Sequence, residues 1–164
     1  VGRHVQMVFQ DPRGSLDPRM TVGRSIAEPG NVSAERVAEV LTEVGLEPSA
    51  AARYPHEFSG GQRQRISIAR ALSVRPEVLL ADEAVSALDV SVRAQILNLL
   101  QRLSREYSLT MVFVSHDLGV VHEICTDVAV FQGGSIVERG TADEVYSHPQ
   151  HDYTRTLLES RLTI

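Results

Sequence analysis

The sequence contains no lysine: all 16 basic residues among its 164 are arginines. This excludes a Gly-x-x-x-x-Gly-Lys-Ser/Thr phosphate loop within the chain, because that loop needs a lysine ammonium on the terminal phosphates. Cysteine is scarce as well. Cys125 stands alone, so no internal disulfide can form, and a reducing compartment fits. Long hydrophobic runs are missing. Stretches such as residues 78–81 and 111–114 are far too short to span a bilayer. No secretory signal pattern opens the sequence. Its first residue is Val1 rather than Met, which suggests a piece or a processed product of a longer chain. The net charge of −5 argues against general nucleic-acid binding.

What remains is an ordinary globular balance, 43% hydrophobic and 23% charged, over about one domain's length. Residues 4–9 read as a short strand ending at Gln10. Residues 11–18 are dense in Asp, Pro, Gly and Ser, and predict an exposed loop. A short helix is expected from Thr21 to the break at Pro29-Gly30. Ser33 caps a second helix, whose Val37, Val40, Leu41 and Val44 recur at helical spacing before Gly45. Residues 77–81 form a compact apolar run ending in Asp82-Glu83, like a buried strand. A long helix follows from Asp89, with Val92, Ile96, Leu99, Leu100 and Leu103 on its apolar face. Residues 110–114 predict another buried strand, ending at Ser115-His116-Asp117. A helix through Val121 and Ile124 leads to a strand over 128–131, and Gly133-Gly134 suggests a hairpin into 135–138. Small helices are expected over 141–146 and 153–158.

Strand–helix–strand alternation implies an α/β fold with a parallel sheet, whose ligands sit at the carboxyl ends of the strands. Gln10, Asp82, Glu83 and His116 all fall at such ends. The strand-free stretch from Asp11 to about Tyr54 reads as a helical insertion.

The centre of the chain is Phe58-Ser59-Gly60-Gly61-Gln62. Ser59 and Gln62 match the Ser-x-x-Gln capping box, so a helix should begin here. Two bare glycines let a ligand approach the backbone, and the first N–H groups of a helix suit a phosphate. Five arginines against one acid, Glu57, over residues 53–75 imply a local positive field. Taken alone, these five residues are better explained by an ordinary capped helix.

Asp82-Glu83 could divide the work of nucleotide hydrolysis, one carboxylate holding Mg²⁺ and the other orienting or deprotonating water. A solvated strand end is the plain alternative. His116 has an N–H in either tautomer and could donate to a terminal phosphate. It cannot join Ser115 and Asp117 in a triad, since adjacent strand side chains point to opposite faces. Gln10 could ligate a metal weakly or position a water. The spacings His122-x-x-Cys125 and His148-x-x-His151 lack the convergent acids or thiols of a metal cluster.

Taken in order, Gln10, Ser59-Gly60-Gly61-Gln62, Asp82-Glu83, Ser86-Ala87-Leu88-Asp89 and His116 resemble the nucleotide-binding subunits of ATP-binding cassette (ABC) transporters over essentially the whole chain. The resemblance implies an ABC-type P-loop ATPase core with a mainly parallel sheet and a helical subdomain. It assigns 11–75 to the helical subdomain with the signature motif, and 76–164 to the Walker B, D-loop and H-loop core with a C-terminal tail. It makes Gln10 the Q-loop glutamine that senses Mg²⁺ and couples to the permease. Residues 58–62 become the signature motif. Asp82 becomes the Walker B Mg²⁺ ligand, Glu83 the catalytic carboxylate, Asp89 the end of the D-loop, and His116 the γ-phosphate contact. ATP and Mg²⁺ are the implied ligands. Transmembrane permease subunits, a second ATPase subunit and, indirectly, a substrate-binding protein are the implied partners, at the cytoplasmic face of the membrane, with no nucleic acid.

Residues 10–23, 54–65 and the tail with His148-Pro149 and Tyr153-Thr154-Arg155 look like the oligopeptide/dipeptide importer branch, which includes nickel and glutathione importers. Three departures stand out. Ala84-Val85 replace the usual Pro-Thr, which predicts a looser turn after the acids. Phe131-Gln132-Gly133-Gly134 is atypical, and no cysteine-containing C-terminal extension implies an iron–sulfur cluster. The phosphate loop and the adenine-stacking aromatic of the family would belong before Val1. The lone chain is therefore expected to be inactive and to leave apolar surface uncovered. Two other functions fit the motifs: a truncated, non-hydrolytic module pairing with an intact subunit, and a soluble ABC ATPase unconnected with transport.

Overall fold

A computed structural model describes residues 2–161. These divide at Val114/Ser115 into two compact units. No helix among the described residues is long and apolar enough to cross a membrane.

The first unit is built on three parallel strands in the order β1 (Val5–Val8), β2 (Val78–Asp82), β3 (Thr110–Val114). Val8 pairs with Ala81 and Asp82 with Val114, so the carboxyl ends of all three strands lie along one sheet edge. Side chains alternate between the two faces. The face carrying Val8, Leu79 and Ala81 is buried. The opposite face is open: Val112 and Val114 are each 46% exposed. The expectation of a buried third strand is therefore corrected. β3 has one strand neighbour in the sheet, and half of its apolar residues point to an uncovered side.

Between β1 and β2 the described chain is helical: α1 (Pro12–Ser15), α2 (Val22–Ala27), α3 (Ala34–Glu43), two 3₁₀ turns (Pro48–Ala52 and Pro55–Glu57) and α4 (Gly60–Leu72). The loop expected over 11–18 contains a full turn, α1, and its Leu16 is buried. The starts of α2 and α3 follow their caps. Thr21 accepts from Arg24 N–H, and Ser33 from Arg36 N–H. α3 buries Val37, Val40 and Leu41, then closes in a Schellman turn. Leu46 N–H reaches Leu41 O at 2.8 Å, and Gly45 takes φ +75°. α5 (Val90–Tyr107) is capped by Asp89 and buries Ile96, Leu97, Leu99, Leu100 and Leu103. Leu97 joins the stripe read from the sequence, whereas Val92 is only half-buried.

The second unit contains α6 (Leu118–Ile124), an antiparallel hairpin of β4 (Asp127–Gln132) and β5 (Ser135–Thr141), α7 (Ala142–Ser147) and α8 (Asp152–Arg161). Gly133 and Gly134 turn the hairpin at φ +58° and +82°, left-handed values that glycine adopts without strain. Among the described residues β4 does not extend the parallel sheet. It pairs with β5, and the pairing is antiparallel because a two-glycine turn leaves no room for the crossover that parallel pairing needs.

Candidate functional site

Gln10 is exposed, two residues beyond β1, and Asp82 and Glu83 are half-buried at the end of β2. β1 and β2 are hydrogen-bonded neighbours running in parallel, so the amide and the two carboxyl side chains belong to one edge. Glu83 has φ +48°. A non-glycine residue in the left-handed region costs about 1–2 kcal/mol. The conformation is held by Glu83 N–H donating to Val114 O at 2.9 Å and by Glu83 O accepting from Ser86 N–H and Ser86 Oγ, each at 3.0 Å. Ala84 and Val85 are buried beneath this turn. Where the family has proline, burial of Ala84 and Val85 and the Ser86 hydrogen bonds close the turn.

The start of α4 is built as the capping box predicts. Gln62 N–H donates to Ser59 Oγ at 3.3 Å, and Ser59 N–H donates to Gln62 Oε1 at 3.0 Å. Arg63 N–H donates to Ser59 O. Ser59 and Gln62 thus hold each other, and the N–H groups of Gly60 and Gly61 lie in the first, unpaired turn. The two glycines differ. A β-carbon on Gly61 would sit 2.5 Å from Val92 Cγ1, whereas one on Gly60 would meet nothing. Gly61 is thus bare so that α4 can pack on the first turn of α5, which Asp89 caps through a 3.0 Å hydrogen bond from Val92 N–H. Gly61 therefore meets the first turn of α5. Among the described residues nothing lies within 4 Å of where a Gly60 β-carbon would stand.

The positive field expected around this helix is largely internal. Arg63 donates to Phe58 O at 2.6 Å, and Arg65 to Val44 O at 2.8 Å and Gln95 at 3.1 Å. Arg70 pairs with Glu28 at 2.8 Å. Arg53 bonds Glu57 and stacks 4.3 Å above the Phe58 ring. Glu57 accepts from Tyr54 N–H, and that bond, aided by Arg53, holds its carboxyl below the usual range. Arg53 and Arg63 thus brace the segment around Phe58, while Arg65 and Arg70 tie α4 to neighbouring elements.

One buried polar residue of this region was not legible in the sequence. Gln64 is completely buried and donates from Nε2 to Phe9 O at 3.3 Å, while its Oε1 has no hydrogen-bond partner. An unsatisfied buried acceptor costs about 1–3 kcal/mol. The available signal was a glutamine at helical spacing from Ile68 and Ala71, on the apolar face of α4.

His116 is exposed and belongs to the second unit. Asp117 beside it caps α6, accepting from Gly119 N–H at 3.0 Å and Val120 N–H at 3.3 Å, in keeping with the exclusion of a triad. His122 lies 3.5 Å from Asp143 and packs against the Tyr146 ring. Among the described residues no group of three or more His, Cys, Asp or Glu converges as a metal cluster.

The profile of the ABC transporter family matches residues 1–86, just over half of the chain. The chain belongs to the ABC transporter family. The matched residues of this ABC chain include Gln10, the Ser59–Gln62 helix start and Asp82-Glu83. It is 55% identical over 166 residues to the glutathione import ATP-binding protein GsiA of Pectobacterium atrosepticum, covering 96% of this chain and 27% of that protein. It is 57% identical over 164 residues to GsiA of Salmonella typhimurium strain LT2, covering 95% and 26%. The ABC chain thus spans about a quarter of the length of the curated relatives it matches. Its fold superposes on CbiO1 of Clostridium perfringens, part of the ABC transporter complex CbiONQ, with a TM-score of 0.79. That match has 27% identity and covers 98% of this chain and 66% of CbiO1.

Proposed function

We propose that this ABC chain is part of the ATP-hydrolysing subunit of an importer for glutathione or other short peptides. The observation that carries the reading is the shared carboxyl edge of β1 and β2, which brings the Gln10 amide and the Asp82 and Glu83 carboxyls to one side of the sheet. The similarity to two glutathione import ATP-binding proteins supports the substrate class.

A carboxylate and an amide oxygen on neighbouring strand ends suit a hard cation that takes few protein ligands beside phosphate oxygens. Asp82 and Gln10 are therefore the residues that would hold Mg²⁺, which would supply positive charge against the phosphate during transfer. Glu83 orients the attacking water and accepts its proton. His116 donates a hydrogen bond to the γ-phosphate. Ser59, Gly60, Gly61 and Gln62 form a surface lent to ATP on a second ATPase subunit, with Asp89 beside them at the same interface. The open side of Gly60 supports that approach. Residues 11–75 act as the helical subdomain and 76–164 as the catalytic core with its tail. The permease docks on the helical side, where Pro12, Leu16, Pro18, Pro55, His56 and Arg63 line a groove. The assembly works at the cytoplasmic face of the membrane.

The test is ATP hydrolysis by the full-length gene product assembled with its permease. Wild-type protein hydrolyses Mg²⁺-ATP and turns over faster in the presence of a glutathione-loaded binding protein, and Glu83→Gln binds ATP without turning it over. Wild-type protein that binds no ATP overturns the reading. Hydrolysis that ignores every short peptide overturns the substrate class alone.

A further inference from the structure

Helix α4 is tied to the Gln10 segment on both sides of that residue. Gln64, 0% exposed, grips the carbonyl of Phe9, the residue immediately before Gln10. Ser67, also buried, shares a 2.9 Å hydrogen bond with Ser15 Oγ, five residues after Gln10. Gln64 and Ser67 are three residues apart and so lie on one face of α4. Gln10 itself is exposed. Its position is set by its neighbours in the chain rather than by packing of its own side chain.

Stability alone does not account for Gln64. Its Oε1 is buried without a partner, so the amide satisfies one backbone carbonyl at the expense of its own acceptor. Leucine or methionine has similar volume, fits the same apolar face and carries no polar atom to satisfy. What only the amide supplies is a directional hold on Phe9 O, where β1 leaves the sheet and the chain turns towards Gln10.

We propose that Gln64 is a positioning residue: through the Phe9 carbonyl it sets the place of Gln10 relative to the Ser59–Gln62 start of the same helix. Ser67 with Ser15 holds the far flank. One rigid helix then fixes both the amide that serves the ATP held by this chain and the surface that serves the ATP of a partner. The inference rests on the reading of Gln10 given above, and the Gln64 hydrogen bond is its independent part.

The experiment uses the full-length gene product with Gln64→Leu, Gln64→Met and Ser67→Ala, measuring melting temperature, amide hydrogen exchange and steady-state ATP hydrolysis. Gln64→Leu and Gln64→Met are expected to melt at or above the wild-type temperature. They exchange faster over residues 9–15 and not over α5. They lose about tenfold in kcat with less than about a twofold change in KM for ATP, the pattern of a displaced group acting at the chemical step. Ser67→Ala raises exchange over the same residues, and more so in combination with Gln64→Leu. Wild-type exchange and kcat in both Gln64 variants overturn the proposal. So does a lowered melting temperature with exchange raised evenly across the first unit, and so does a failure to fold, since no loss of stability is expected. If wild-type protein hydrolyses no ATP, the reading of the site fails instead, and the exchange comparison alone decides the role of Gln64.

Discussion

Gly61 lies against Val92 so closely that a β-carbon there would be 2.5 Å from Val92 Cγ1, while a β-carbon on the adjacent Gly60 would touch nothing. Two consecutive glycines therefore answer different demands, one internal and one external. Gly61→Ala is expected to destabilise the first unit by about 1–3 kcal/mol, as overpacking does. Adding Val92→Ala should recover most of that loss, because the two sites share one contact. Gly60→Ala should leave stability within about 0.5 kcal/mol of wild type, yet depress ATP turnover in the assembled transporter. Denaturant melts of these three variants, with ATP turnover by the Gly60 variant, check this, and equal losses of stability at both glycines would erase the distinction.

Glu83 holds φ +48°. Glu83→Gly relieves this geometry and Glu83→Ala does not, so the glycine variant should be more stable than the alanine variant by about 1 kcal/mol. Both should lose ATP turnover. Urea unfolding of the pair measures the difference, and an alanine variant as stable as the glycine one would mean that no strain is stored.

Glu57 carries a pH signature beside the start of α4. The hydrogen bond from Tyr54 N–H, with a smaller contribution from Arg53, holds its folded-state value below the ordinary one. A carboxyl depressed on folding contributes stability above its unfolded value of about 4.3, and loses it as the pH falls through the lower folded value. The melting temperature should therefore drop on acidification below about pH 5, and Glu57→Gln should flatten part of that drop. An identical acid slope in the variant would show that the Tyr54 bond adds nothing to stability.

The 164 residues contain no lysine and so no lysine-bearing phosphate loop. Purified alone, they should show negligible Mg²⁺-dependent ATP hydrolysis and weak ATP affinity. A phosphate-release assay with titration calorimetry checks both, and clear turnover by the lone chain would overturn the division of roles given to its residues.

Much of the local structure was legible because its causes are local. Thr21, Ser33, Ser59, Asp89 and Thr141 each cap the helix that follows, and a cap needs only a short polar side chain and the N–H groups two or three residues on. The hairpin turn at Gly133-Gly134 was legible for the same reason. The candidate site was legible as an order of motifs, because Gln10 and Asp82-Glu83 stand where apolar runs end. The burial of β3 was misread, because an apolar strand reads alike whether one face or both are covered. The arginines of residues 53–75 were read as a field because a sequence does not show which carbonyls and carboxylates they will meet.

The sequence by itself determined where helices start, where the sheet's parallel strands lie, and which polar residues stand at their ends. These depend on residues a few positions apart and on backbone periodicity. Only the tertiary structure decided that Gly61 answers to Val92 while Gly60 answers to nothing within the chain. It also decided that Glu83 is held in a left-handed turn by Val114 and that Gln64 reaches 55 residues back to Phe9. Each is a contact between residues distant in the chain, chosen by packing and hydrogen-bond satisfaction in three dimensions, which no local pattern encodes.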